Sequence, residues 1–121
     1  MADHSSIHRC GTHHKVIKSW GHEVWYANSP LYCGKLLYVA EGKSTSQHFH
    51  LNKTEDILVD MGTLYLTLWE DAIETSHILE AGDSVTITPG LVHRLTGGPD
   101  GVVLYEFSTQ HFDDDSYRVS R

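Results

Sequence analysis

The chain is a succession of short runs of strand-forming residues separated by glycine or proline turns, and this pattern restricts its fold more than any other feature. The runs occupy residues 24–28, 32–42, 47–51, 56–62, 63–70, 77–83, 84–90 and 101–108. We expect 56–62 and 63–70 to be two strands that join tightly at Gly62. No segment of ten or more residues follows the helical period. The pattern therefore predicts an all-β antiparallel sandwich or barrel.

The length and composition indicate one globular domain with its own core. The chain has 121 residues, of which 40% are hydrophobic. Residues 1–14, MADHSSIHRCGTHH, are polar, rich in histidine and without period. We therefore expect a flexible His-rich arm at 1–14, followed by a single β-barrel domain at 15–121.

The charge and the apolar pattern bear on partners and location. The formal net charge of −7 disfavours binding to nucleic acid or to an anionic membrane. No apolar stretch approaches the roughly 18 residues of a membrane span, and no apolar run follows a basic segment near the N-terminus. Two cysteines are too few for a disulfide framework. These features predict a cytoplasmic protein with no nucleic-acid or membrane partner.

A candidate metal site stands in the stretch GKSTSQHFHLNKTEDILVDMG, residues 42–62. Side chains two apart on a strand share a face, so His48 and His50 project together. Glu55 follows beyond a turn, from which a returning strand can bring its carboxylate over the two imidazoles. His93, in the turn segment TPGLVHRL, is the expected fourth ligand. This donor set suits one divalent transition metal such as Zn, Mn or Fe, and leaves open coordination positions for a small-molecule substrate.

These residues also carry a family signature. The stretch resembles the first cupin motif, G(X)5HXH(X)3,4E(X)6G, at every fixed position. The second motif, G(X)5PXG(X)2H(X)3N, is matched by Gly82, Gly90 and His93, while Thr88 replaces the usual proline and Gly97 the usual asparagine. The resemblance implies a small antiparallel jelly-roll barrel with a metal inside, often as a homodimer. We expect Trp25 and Tyr26 to contribute to such a dimer contact.

A narrower resemblance extends over nearly the whole chain. The segments WGHEVW (20–25), GKLL (34–37) and YEFSTQHFDDDSYRVSR (105–121) look like those of the cupins related to type II mannose-6-phosphate isomerase. That group tends to have glutamine where this chain has His48. The resemblance implies aldose–ketose isomerisation of a sugar phosphate similar to mannose 6-phosphate.

Isomerisation needs a base, and a phosphate needs cations. Glu106, in the strand segment VVLYEF, and His111 are the candidate catalytic residues. Lys35, Arg94 and Arg118 are the candidate substrate-binding residues, because cationic side chains pair with phosphate. Two other functions fit the same metal ligands. One is a non-haem iron dioxygenase, and the other is a cupin that binds metal and carbohydrate without turnover.

Overall fold

The computed structural model describes residues 5–119 of the chain. Within this range the backbone forms nine β-strands and one 3-10 turn, Asp113–Asp115. The strands are β1 (His14–Lys18), β2 (Gly21–Asn28), β3 (Cys33–Val39), β4 (His48–Phe49), β5 (Glu55–Glu70), β6 (Ile73–Glu80), β7 (Ser84–Ile87), β8 (Val92–Ser108) and β9 (Tyr117–Arg118). None of the described residues forms a long apolar helix of the kind that crosses a membrane.

The two longest strands, β5 and β8, organise a curled antiparallel sheet. β8 pairs with β3 and β5 through its second half, and with β4 and β5 through its first half. β1 and β2 extend the sheet beyond β3, β6 and β7 pair with β5, and β9 pairs with β4. The all-β antiparallel fold predicted from the strand pattern is confirmed.

One strand boundary differs from the prediction. Residues 56–62 and 63–70 do not form two strands joined by a tight turn, because β5 runs without a break from Glu55 to Glu70. Gly62 has φ +88, and the register with β8 shifts between Gly62 and Leu64. The glycine therefore forms a bulge that bends the strand, rather than a reversal of the chain.

The inward-facing side chains of three neighbouring strands, β3, β8 and β5, form an apolar layer and a charged layer. Inward positions of β3 read Lys35, Leu37 and Val39, whereas those of β8 read Glu106, Leu104 and Val102. In register, Lys35 pairs with Glu106 and Leu37 with Leu104. β5 follows the same order, with Glu55 preceding Ile57 and Val59. The apolar layer is the core of the domain, and the charged layer lines a pocket above it.

The expected boundary between arm and domain falls close to the first strand. β1 begins at His14, and residues 5–13 before it form no strand. The ring of His13 lies 4.7 Å from that of Tyr26, so the residues just before β1 contact β2. The rest of the expected arm, residues 1–4, lies outside the described residues.

The departure from the cupin motif at Gly97 has a steric reason. A Cβ at this position would lie 2.6 Å from the carbonyl oxygen of Val39 and closer still to that of Ala40. The close approach brings the backbone of β8 against the end of β3, where Gly42 N donates to Gly97 O. In this chain the usual asparagine cannot be accommodated without moving one of these backbones.

We expect Gly97→Asn to lower the free energy of unfolding by about 1–3 kcal/mol, the usual cost of forcing extra atoms into a packed site. Gly34→Asn is the matched control, since a Cβ at Gly34 meets nothing within 4 Å. Urea unfolding of both variants measures the difference. Equal midpoints for the two variants would contradict the steric explanation.

Candidate functional site

Three histidines meet on the inner face of the barrel. His48 lies on β4 directly opposite His93 on β8, and His50 follows two residues after His48. Their ligand nitrogens all lie within 4.8 Å of one another. His50 and His93 are buried, and His48 is partly buried. The structure therefore brings these three predicted residues together, and the cluster can hold a metal ion.

Each imidazole is held in the tautomer that a metal ligand needs. The Nδ1–H groups of His48 and His93 face the carbonyl oxygens of Ser46 and Leu91, at 2.8 and 2.9 Å. His50 Nδ1–H donates to the carbonyl oxygen of Asp115, at 2.9 Å. With Nδ1 donating, the lone pair of each ring sits on Nε2.

The three imidazoles are also neutral. Burial lowers the pKa of His48, His50 and His93 to about 4 in each case. The neighbouring rings and the Lys53 ammonium lower these pKa values further. The free Nε2 lone pairs are therefore available to a cation at neutral pH.

Glu55, the fourth predicted metal ligand, lies beside this cluster. Its Oε2 lies 3.3 Å from His50 Nε2. The atom is buried and has no aligned hydrogen-bond donor among the described residues, although Lys53 Nζ forms an ion pair with it at 3.3 Å. Burial, and then repulsion from Glu106, raise the pKa of Glu55. A buried oxygen without a hydrogen bond beside three neutral imidazoles fits a divalent cation, which would supply the missing partner.

A second buried carboxylate lies beside the first and shares its cation. Lys53 Nζ donates to Glu106 Oε2 at 2.9 Å, while it also pairs with Glu55. Burial alone would raise the pKa of Glu106, but Lys53 and then Lys35 outweigh it and hold the pKa below its usual range. The same carboxylates raise the pKa of Lys53 to about 12 against the effect of burial. Glu106 is thus a carboxylate and Lys53 an ammonium at neutral pH.

The other predicted catalytic residue, His111, contacts this pair from the C-terminal segment. Its Nδ1 lies 3.2 Å from Lys53 Nζ, and its Nε2 lies 3.0 Å from Asp113 Oδ1. Burial, and then Lys35 and Lys53, lower the pKa of His111. A neutral ring can therefore accept from Lys53 at Nδ1 while it donates to Asp113 at Nε2.

Lys35, predicted to bind substrate, lies in the pocket but is already paired. Its Nζ is 3.6 Å from Glu23 Oε1 and 4.3 Å from the centre of the Trp25 ring. Trp25 Nε1 donates to the same Glu23 oxygen. Trp25, on β2, also lines the pocket, and β2 lies between β1 and β3 in the sheet. Tyr26, the next residue, is exposed.

The two predicted arginines occupy different surfaces. Arg118 on β9 lines the pocket. Arg94 adjoins His93 on β8 and so faces the opposite side of the sheet, where its guanidinium lies 5.5 Å from the centre of the Trp69 ring. The pocket has a volume of about 1060 Å³, and Arg94 is not among the residues that line it. The structure therefore does not bring Arg94 to the other candidate residues.

Three residues of the site were not selected as site residues from the sequence. Lys53 stands two residues before Glu55, at the entrance to β5, and continuing the alternation of β5 back by one step would have indicated it. Trp25 shares a face with Glu23 on β2, but its inward direction depends on the order of the strands. No local pattern indicates Asp115, because it contacts residues 50–52 across 63 to 65 positions of sequence.

The sequence of this chain is similar to those of several proteins whose names refer to sugars. A family model described as D-lyxose isomerase matches residues 17–78. A mannose-1-phosphate guanylyltransferase of Sinorhizobium fredii (strain NBRC 101917 / NGR234) is 30% identical over 98% of this chain. A D-lyxose/D-mannose isomerase of Thermosediminibacter oceani is 27% identical over 75% of this chain. The chain spans 23% of the length of the first relative and 62% of the second.

Solved structures share the fold at lower sequence identity. The capsular polysaccharide assembling protein CapF from Staphylococcus aureus superposes with a TM-score of 0.79 at 17% identity, over 90% of this chain and 34% of CapF. The likeness confirms the cupin jelly-roll expected from the two motifs.

Removal of one ligand should separate metal binding from folding. We expect His50→Ala to bind substantially less Zn²⁺ or Mn²⁺ than the parent and to lose most of the stabilisation that metal provides. Metal that binds only the native state adds about 2.7 kcal/mol to the free energy of unfolding when its concentration is 100 times its Kd. Metal content and thermal midpoints, with EDTA and with metal, test this.

His77→Ala is the matched control, since His77 is exposed on β6 and the His-rich N-terminal residues are the same in both proteins. Equal metal content and equal stabilisation in His50→Ala and His77→Ala would exclude the proposed site.

Proposed function

Because this chain belongs to the D-lyxose isomerase family, we propose that it is a metal-dependent aldose–ketose isomerase whose substrate is an unphosphorylated sugar similar to D-lyxose or D-mannose. The observation that carries the proposal is the buried Lys53–Glu106 ion pair, which lies beside the histidine cluster inside the pocket. A site that only binds a sugar has no need of a buried carboxylate and ammonium in contact, and burying such a pair is costly.

The metal would be held by Nε2 of His48, His50 and His93 and by Oε2 of Glu55. When bound, it would act as a Lewis acid that polarises the carbonyl and the adjacent hydroxyl of an open-chain sugar. The protein's own part is to keep the three imidazoles neutral and to orient them through their Nδ1–H groups. Burial of the whole group also limits access of bulk water to the reacting atoms.

Proton transfer is the task we assign to Glu106. Conversion of an aldose to a ketose removes the proton from C2 and returns a proton to C1, while a proton moves from O2 to O1. Glu106 is a carboxylate at neutral pH and can accept the C2 proton. Its ion pair with Lys53 makes it a weak base at rest. If Lys53 turns its N–H toward a substrate oxygen, the carboxylate loses this partner and becomes more basic.

We assign His111 a positioning role. Its neutral ring contacts Lys53 Nζ at 3.2 Å and is tied to Asp113 on the other side. The ring therefore limits the directions in which the ammonium can point. Trp25, whose ring lies 5.1 Å from that of His111, closes the same side of the pocket and can lie against the carbon chain of a sugar.

An uncharged substrate fits the balance of charge in the pocket. Both buried ammonium groups, on Lys35 and Lys53, already pair with the carboxylates of Glu23, Glu55 and Glu106. A phosphate placed among them would compete with these carboxylates and add negative charge. A free sugar needs only hydrogen bonds, which the polar lining of the pocket offers.

Substitution of the base tests the proposed reaction. In D2O we expect the parent to convert D-lyxose or D-mannose to the ketose with deuterium incorporated at C1. We expect Glu106→Gln to lower kcat by at least about 10²-fold, with metal content unchanged, because the amide cannot accept the proton. Polarimetry and NMR of the products measure both effects.

Glu70→Gln is the matched control, since Glu70 is exposed at the end of β5. No turnover of a panel of aldoses by the metal-loaded parent would refute the isomerase proposal. Full activity of Glu106→Gln would refute the role of Glu106.

A sugar phosphate is the second candidate substrate, and three exposed cations that line the pocket favour it. They are Arg118 on β9, and Lys15 and Lys18 on the edge strand β1. A phosphate held there could stay hydrated on one side while the sugar enters the pocket.

If this second candidate is correct, we expect Arg118→Ala to raise KM for mannose 6-phosphate several-fold while KM for free mannose stays the same. Arg94→Ala is the control, because Arg94 lies on the other face of β8. Steady-state kinetics with both sugars distinguish the candidates. Equal effects of Arg118→Ala on both sugars would argue against a phosphate site at Arg118.

A further inference from the structure

The three candidate ligand histidines are oriented in different ways. His48 and His93 each point Nδ1 toward a carbonyl two residues earlier in the chain, on Ser46 and Leu91. These contacts form together with the local backbone. His50 instead donates to the carbonyl oxygen of Asp115, 65 residues away in sequence. The orientation of His50 therefore depends on the position of the C-terminal segment.

The side chain of Asp115 holds that segment in place. Its carboxylate is buried and accepts from Leu51 N at 3.0 Å and from Asn52 N at 3.2 Å. Asn52 Nδ2 is a further donor at 3.4 Å. Hydrogen bonds to a charged acceptor are stronger than those between neutral groups. The backbone of Asp115 thus binds His50, while its side chain binds the two residues that follow His50.

The neighbouring C-terminal residues reinforce the same contact. β9 pairs with β4, so that Tyr117 lies opposite Phe49 and their rings stack at 5.3 Å. Val119 N donates to Gln47 O. β4 contains only two residues, His48 and Phe49, and is too short to keep its position without strands on both sides.

We propose that Asp115 is the positioning residue for the metal ligand His50, and that the segment 113–119 acts as a clamp which sets the metal affinity of the site. The proposal rests on the metal centre proposed above. The carboxylate fixes the chain so that the Asp115 carbonyl oxygen meets His50 Nδ1–H. This contact keeps the lone pair of His50 on Nε2, where it faces the other two histidines.

The first measurement follows the three rings without metal. Long-range ¹H–¹⁵N correlation spectra of the metal-free protein at pH 7.5 report which ring nitrogen carries the proton. We expect His48, His50 and His93 of the parent to be Nδ1–H tautomers. In Asp115→Asn we expect only His50 to become a mixture of tautomers, because the other two rings bind local carbonyls.

The second measurement is metal affinity. We expect Asp115→Asn to weaken Zn²⁺ binding by about 10- to 100-fold, the usual effect of losing a partner that orients a ligand. Competition with a chelating dye gives the Kd. Asp114→Asn is the matched control, since Asp114 lies in the same 3-10 turn and is exposed. Thermal unfolding of the metal-free proteins checks that both variants fold.

The outcomes separate this proposal from the metal centre itself. A selective change at His50 with weaker Zn²⁺ binding supports the clamp. The clamp is overturned if Asp115→Asn folds and keeps both the His50 tautomer and the Zn²⁺ affinity of the parent. It is also overturned if all three rings change equally, or if His50 of the parent is not the Nδ1–H tautomer. If the parent binds no Zn²⁺, the metal centre fails, and the tautomer of His50 in Asp115→Asn alone decides whether the contact positions the ring.

Discussion

Buried charge is the constraint around which this barrel is arranged. Lys35, Lys53, Glu55 and Glu106 are each less than 5% exposed, and an unpaired charge at that depth would destabilise the fold by several kcal/mol. Each is tolerated because an opposite charge lies at short distance, as in the 2.9 Å contact between Lys53 and Glu106. The buried charged groups of the pocket therefore depend on one another for neutralisation.

Strand register explains how the charges find their partners. β3, β5 and β8 present their inward side chains in the same order, with apolar residues at one end and ionisable residues at the other. Leu37, Leu104 and Val59 pack together in the apolar layer, and a one-residue slip of any strand would turn its member of this group to the outer face of the sheet. Packing of the core thus sets the register, and the register aligns the charged layer above it.

Much of the fold and of the candidate metal centre is predictable from the sequence, because the signals are local. His48 and His50 share a face on any strand, and the glycine and proline turn before His93 indicates where β8 begins. The outward direction of Arg94 follows from the same alternation, once His93 faces inward. The inward direction of Glu106 does not follow from alternation, because Tyr105 and Phe107 make the outer face of β8 as apolar as the inner one. The sequence cannot distinguish a bulge from a turn at Gly62, since a glycine with positive φ serves both purposes.

The sequence by itself determined the strand-rich architecture and the shared face of His48 and His50, since both follow from periodicity within a few residues. The meeting of these two residues with His93, 43 positions after His50, needs the pairing of β4 with β8. The tertiary structure alone decided which cation neutralises Glu106, that Trp25 lines the pocket, and that Asp115 holds His50. Lys53 and Glu106 are 53 positions apart in the sequence, and His50 and Asp115 are 65 positions apart. Contacts between residues so far apart in the sequence depend on the curl of the whole sheet, because local conformation carries no information about which strands become neighbours.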